Sequence, residues 1–175
     1  MPCHVPAQSE CAAVNELTIL GNGFFMVRDP NNSEFYATQA GSFRVDARGY
    51  LVTESGARLQ GGIGRDLVAI GDVQINIGNL APFSATKPCV LYYVVDERGR
   101  ILARLANRSL FLCGQILLQN FDDPQALVSE GGTLYSNTDK AGPLPAPSVP
   151  GSQGLGAIHS GMIEFSRAAS PNWRN

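Results

Sequence analysis

The sequence predicts an all-β fold: a single β-rich domain of short antiparallel strands and hairpins, with a long Pro/Gly-rich loop. Three observations carry that expectation. Turn-forming residues recur at short intervals through residues 17–60, LTILGNGFFMVRDPNNSEFYATQAGSFRVDARGYLVTESGARLQ, and leave little room for a helix. The runs between those turns are rich in aromatic and β-branched side chains, which suit a pleated, half-buried surface. Gly 19 and Pro 11 also punctuate the 175 residues more heavily than long helices tolerate.

The elements follow in order. Gly21-Asn22-Gly23 precedes an extended run at 24–27 (FFMV), and Asp29-Pro30-Asn31-Asn32-Ser33 breaks it. Pro30 fixes φ there, while Asn and Asp tolerate left-handed turn geometry. Residues 35–38 and 43–45 form the next short strands, divided by Ala40-Gly41, and Asp46-Ala47-Arg48-Gly49 turns the chain into Tyr50-Leu51-Val52-Thr53. Apolar and aromatic Phe24, Phe35, Tyr36 and Phe43 are expected to build the core of this meander.

Beyond it, Gly61-Gly62-Ile63-Gly64 reads as a flexible joint, and residues 73–77 alternate as a strand wet on one face. Residues 90–95 and 100–105 form a hairpin across Asp96-Glu97-Arg98-Gly99, echoing the turn at 46–49. The most apolar segment, 110–121, reads as a central strand. Asp123 and Pro124 then supply the N-cap and first position of one helical turn. Residues 132–135 return to extended chain. Residues 140–156, KAGPLPAPSVPGSQGLG, have the composition of a surface loop or linker, which outweighs a docking site for a proline-recognising module. Residues 155–166 close the domain as a final strand.

Several motifs in this stretch fall in a fixed order: Gly21-Asn22-Gly23-Phe24-Phe25, Gln39-Ala40-Gly41-Ser42-Phe43, Asp46-x-x-Gly49-Tyr50-Leu51-Val52 and Gly56-x-x-Leu59-Gln60-Gly61. Each alone is common in turns; the ordered set resembles the signature of the flagellar rod and hook proteins, the axial subunits of the bacterial flagellar basal body. Residues 114–121, Leu127 and 132–135 resemble the C-terminal half of that family, and residues 155–166 its exit motif, with Arg167 where the family places Asn.

The resemblance implies a structural, non-enzymatic subunit truncated to its inner β domain. It also implies long N- and C-terminal polymerisation helices, and here the sequence departs: residues 1–15 carry two prolines and residues 167–175 are a short tail. The expected organisation is a lead-in at 1–15, a β domain at 16–166 with a small insertion at about 62–110, and a tail at 167–175. Partners implied are other rod- or hook-type subunits or self, with export through the flagellar type III apparatus to a periplasmic or extracellular position. The alternative is a soluble binding or accessory module, cytoplasmic and non-polymerising, that kept the fold but left the flagellum.

Composition narrows the remaining classes. A formal charge of −2 gives no electrostatic reason to expect nucleic acid or an anionic membrane as partner. No apolar run approaches the ~20 residues of a membrane span, and residues 1–10 lack the basic and apolar regions of a Sec signal. The four cysteines, Cys3, Cys11, Cys89 and Cys113, are widely and irregularly spaced, unlike the close pairs of zinc sites, and Cys89 and Cys113 read as buried thiols.

His159-Ser160 has no Gly-x-Ser-x-Gly elbow, and neighbours on a strand point to opposite faces. Gly21-x-Gly23 lacks the third glycine and following helix of a dinucleotide fingerprint. Asp46 and Asp96 each occupy a tight turn whose amides a carboxylate satisfies without any catalytic role. No catalytic, cofactor-binding or metal residue and no cofactor is expected.

Overall fold

A computed structural model of the chain describes residues 16–64, 66–75, 90–105, 107–144, 146–160 and 163–164. Within them run β1 (Leu17–Leu20), β2 (Phe24–Arg28), β3 (Phe35–Thr38), β4 (Arg44–Val45), β5 (Leu51–Val52), β6 (Arg58–Ile63), β7 (Ala69–Asp72), β8 (Val90–Val95), β9 (Arg100–Leu105), β10 (Leu110–Ile116), β11 (Leu118–Gln119), β12 (Val128–Ser129), β13 (Tyr135–Ser136), β14 (Ala157–Ser160) and β15 (Ile163–Glu164). The only helical element among the described residues is a 3-10 turn at Pro124–Ala126, where the Asp123 carboxylate accepts the Gln125 amide at 3.1 Å as the sequence anticipates.

All pairings are antiparallel. The main sheet follows the path β12-β13-β3-β2-β6-β10-β9-β8-β15, with β11 on β2, β5 and β7 on β6, and β4 on β5. β1 and β14 form a separate two-stranded ribbon. Strand alternation explains the core. In β2, Phe25 and Val27 are buried while Phe24, Met26 and Arg28 are half-buried; in β9, Ile101, Ala103 and Leu105 are buried between half-buried Leu102 and Arg104. The buried set joins Leu17, Phe25, Leu59, Ile101, Ile116, Leu118 and Ile158 into one cluster, with Phe25 meeting Phe43 edge-on at 5.3 Å. Each such side chain contributes about 1.5–3 kcal/mol by leaving water. The opposite face of β2 and β3 buries a second cluster, Ala37, Phe121 and Ala141, against the edges of Phe24 and Tyr135.

Four expectations are corrected. Gly61 and Gly62 are not a joint but buried positions inside β6; a Cβ on Gly61 would lie 2.2 Å from the Gln115 carbonyl oxygen, so their lack of a side chain lets β6 and β10 touch. Phe35 is 49% exposed and builds no core, because it sits at the end of β3, past the cover supplied by the second cluster. The run 110–121 is two strands: β10 pairs with β6 and β9, whereas β11 pairs with β2, and Leu117 separates them. The described strand lies ahead of the one placed at 73–77: β7 ends at Asp72, and residues 73–75 form no named strand, only an isolated bridge between Gln74 and Tyr50. Val73 and Ile75 are buried on one face as the alternation requires, and residues 76–77 lie outside the described residues.

The Pro/Gly-rich segment is laid along β11. Leu118 and Ser148 exchange both backbone hydrogen bonds at 2.9 Å, Leu144 donates to the Asn120 carbonyl, and the Gln119 amide side chain donates to the Leu144 carbonyl at 2.6 Å. Proline suits such an edge because the donors it lacks face away from the ladder.

Candidate assembly surfaces

Asp46, Asp96, Ser160 and Cys113, each of which invited a chemical reading, have ordinary structural partners. The Asp46 carboxylate accepts the Arg48 and Tyr50 amides at 2.8 and 2.9 Å, and Asp96 accepts those of Arg98 and Arg100 at 3.0 and 2.9 Å. Ser160 donates its hydroxyl to the Val95 carbonyl at 2.6 Å, while His159 is exposed on the other face of β14. The Cys113 thiol is buried, donates to the Phe111 carbonyl and is pushed up to about 11 by burial, which makes it an unreactive small hydrophobe. Cys3, His4, Cys11 and Cys89 lie outside the described residues. Among the described residues no group of three or more His, Cys, Asp or Glu could hold a metal ion, and no helix is long and apolar enough to cross a membrane.

One polar cluster escaped the sequence reading. β2 and β6 bring Arg28 and Arg58 directly opposite one another, a like-charge pair that requires an anion. β7 delivers it. Asp72 accepts from Arg28 at 2.9 and 2.5 Å in a bidentate fork, from Arg58 at 3.0 Å and from Gln60 at 2.7 Å. The Arg58 guanidinium also lies 4.1 Å from the centroid of the Tyr50 ring. Burial opposes ionisation of Asp72, but the hydrogen bonds from Arg28, Gln60 and Arg58 outweigh it and hold the carboxyl at about 2. Arg28, Arg58 and Asp72 lie 30 and 14 or more residues apart in sequence, so only the sheet register reveals that they meet. This is a structural clamp across three strands.

What the molecule offers to others is sheet surface. On β9 and β10 the residues turned away from the core are Leu102, Arg104, Leu110 and Leu112, with Leu110 54% and Leu112 40% exposed. Registry puts Leu110 beside Arg104 and Leu112 beside Leu102, with half-buried Val94 of β8 beyond it. At the other end of the sheet, β12, β13 and β3 place Val128, Ser136 and Tyr36 on one face. There Asp29, Tyr36, Ser55, Ala57, Glu130 and Leu134 line a shallow depression of about 160 Å³. Tyr36 donates to Glu34 at 2.9 Å and Ser136 to Glu130.

Comparison with known proteins places these surfaces in context. The profile described as "Flagellar hook protein FlgE/F/G D1 domain" matches residues 18–103, from β1 into β9. The flagellar basal-body rod protein FlgG of Buchnera aphidicola subsp. Baizongia pistaciae is 29% identical over 159 residues, covering 90% of this chain and 52% of that protein. FlgG of Bacillus subtilis is 30% identical over 152 residues, covering 86% and 50%. The flagellar hook protein FlgE of Borreliella burgdorferi is 32% identical over 103 residues, covering 53% of this chain and 23% of the hook protein. The chain thus spans about half the length of the rod proteins it matches. Its ordered turn motifs, its antiparallel β body over the described residues and these similarities agree: over residues 18–103 the chain is similar to the D1 domain of flagellar hook and rod proteins, and over most of its length to the rod protein FlgG.

Proposed function

We propose that the chain is a structural subunit of the bacterial flagellar basal-body rod or hook, acting through its β domain and performing no catalysis. The observation that carries this reading is the coincidence of the ordered motif set with the described sheet: the motifs supply the turns and tight glycine contacts of β2 to β6, inside the stretch similar to the FlgE/F/G D1 domain. In this reading residues 16–166 act as one unit, with residues of about 62–110 taking the place of a small insertion. The partners are neighbouring rod- or hook-type subunits, including other copies of the chain, and not nucleic acid or a lipid bilayer. Delivery is by the flagellar type III export apparatus rather than a Sec signal, to a periplasmic or extracellular position in the axial structure.

The test is incorporation. An epitope-tagged copy is expressed in flagellated cells, hook–basal bodies are isolated, and the tag is sought by immunogold labelling and immunoblot. Label on the axial structure is the expected result. Basal bodies that are intact, carry their other rod and hook subunits and lack the tag, while the tagged protein stays in the soluble fraction, would refute the assignment.

A further inference from the structure

We infer that two copies of this chain meet head to tail, the outer face of β9–β10 of one copy seating on the acidic end formed by β3, β12 and β13 of the next. The inference rests on the axial-subunit reading above and deepens it by naming which faces mate.

Charge complementarity carries the argument. Across 93–112 the chain bears four arginines, Arg98, Arg100, Arg104 and Arg108, against two carboxylates, Asp96 and Glu97. Arg100 is committed to Asp96 at 2.6 Å, whereas neither Arg104 nor Arg108 forms a salt bridge among the described residues. The opposite end reverses the sign. Residues 29–38 and 128–136 bear Asp29, Glu34 and Glu130 with no Lys or Arg. Their carboxylates accept from the side chains of Asn31, Asn32, Tyr36 and Ser136 and from the Asn31 amide, none of which neutralises charge.

Each end also presents apolar surface beside its charge. Leu110 and Leu112 stand next to Arg104 and Leu102 on one; Val128 is 51% exposed near Tyr36 and Leu134 on the other. An apolar centre with a charged rim is the composition of a specific contact, and the charges orient it.

The two faces lie at opposite ends of the sheet path, so the contact joins unlike surfaces rather than one patch and its own copy. A contact between unlike faces propagates: each copy that docks leaves one free face of each kind, and the result is a closed ring or an open helical array.

The experiment uses the full 175-residue chain, in sedimentation velocity over a wide concentration range. Two variants are compared with it, R104E/R108E at the basic face and E34R/E130R at the acidic end, all on exposed or half-buried positions. The parent is expected to associate with concentration and to dissociate at least ~10-fold more readily when NaCl rises from about 0.05 to about 0.5 M, as screening of exposed charges demands. Each variant alone is expected to sediment as a monomer with unchanged circular dichroism, and an equimolar mixture to regain a complex, because one native face of each kind remains between them.

A parent that stays monomeric at every concentration overturns the contact, as do variants that associate like the parent. If a variant loses its β spectrum, the salt dependence of the parent decides: association indifferent to salt overturns the inference. The outcome separates from that of the axial assignment. Variants that associate like the parent, from a chain that still enters hook–basal bodies, remove this contact alone. Salt-sensitive association of a chain that never enters them removes the assignment instead.

Discussion

The turns at residues 46–49 and 96–99 are built from one set of bonds in two different settings. In each, the aspartate amide donates to the residue four positions on, the glycine amide donates to the aspartate carbonyl at 2.9 and 2.8 Å, and the carboxylate gathers two further amides. Each glycine has a positive φ, +85° at Gly49 and +76° at Gly99, and each offers its carbonyl at 2.7 Å to a residue arriving from elsewhere, Ile75 in one case and Ile116 in the other. The difference lies in how closely those visitors approach. A Cβ on Gly49 would meet the Ile75 carbonyl oxygen at 3.1 Å; on Gly99 it would meet the Ile116 oxygen at 2.8 Å and Pro150 at 3.0 Å. The local code makes the turn, and the packing around it decides how strictly the code must be kept.

Substitution at the two glycines sharpens that contrast most. Gly99→Ala should cost about 2–3 kcal/mol, combining left-handed strain with a backbone clash that Ile116 cannot relieve without losing its place in β10. Gly49→Ala should cost about 1–2 kcal/mol, mostly strain. Urea unfolding followed by circular dichroism measures both, and equal losses would show that packing adds nothing to the turn.

A second prediction concerns Asp72, an aspartate with no local turn to serve. Its folded pKa of about 2 lies below the ordinary 3.8, so its contribution is full above about pH 4 and disappears as pH falls toward 2. The contribution is on the order of 1–2 kcal/mol after allowance for partial solvent screening. Unfolding at about pH 6 and about pH 2.5 should show the parent losing more stability than Asp72→Asn, which no longer titrates there. A variant that tracks the parent at both pH values would place the acid sensitivity elsewhere.

The turn aspartates come next. Asp46→Ala and Asp96→Ala each remove an acceptor from two amides at a solvent-exposed turn and should each cost about 1 kcal/mol. Near equality is the point, since the extra ion pair of Asp96 is exposed. Arg100→Ala isolates that pair, with Arg100 52% exposed, and should change stability by no more than about 0.5 kcal/mol. A larger loss at Arg100 would mean that the second turn depends on the pair rather than on the shared amide bonds.

The same contrast explains what could be read from the sequence. Both Asp-x-x-Gly turns, the Asp123–Pro124 cap and β3 at Phe35–Thr38 were legible because their causes lie within a few residues of one another. Gly61 and Gly62 looked like a joint because a glycine that permits close contact has the same letter as one that permits bending; only the Gln115 carbonyl across β10 tells them apart. Phe35 looked like core because its chemistry is apolar, yet burial depends on what stands over the end of β3. The Arg28–Asp72–Arg58 clamp needed the register of β2, β6 and β7, which no local signal records. Charge complementarity between the two sheet ends was invisible for the same reason, since Asp29 and Glu130 meet only through β13 and β3.

The small ribbon of β1 and β14 has a mechanical meaning. Leu17 pairs with Ser160 and Leu20 with Ala157, so the two strands that bracket nearly the whole described body lie side by side. A load applied between residues 17 and 160 therefore pulls across that ladder, opening its pairs one after another, and does not drive the strands past each other. Such a seam yields at low force. The seat of the Leu17 amide on the Gly41 carbonyl, at 3.0 Å, lies at the loaded end and takes the strain with the first pair, and because Leu17 and Ile158 are buried in the main cluster, parting the ribbon opens the core itself.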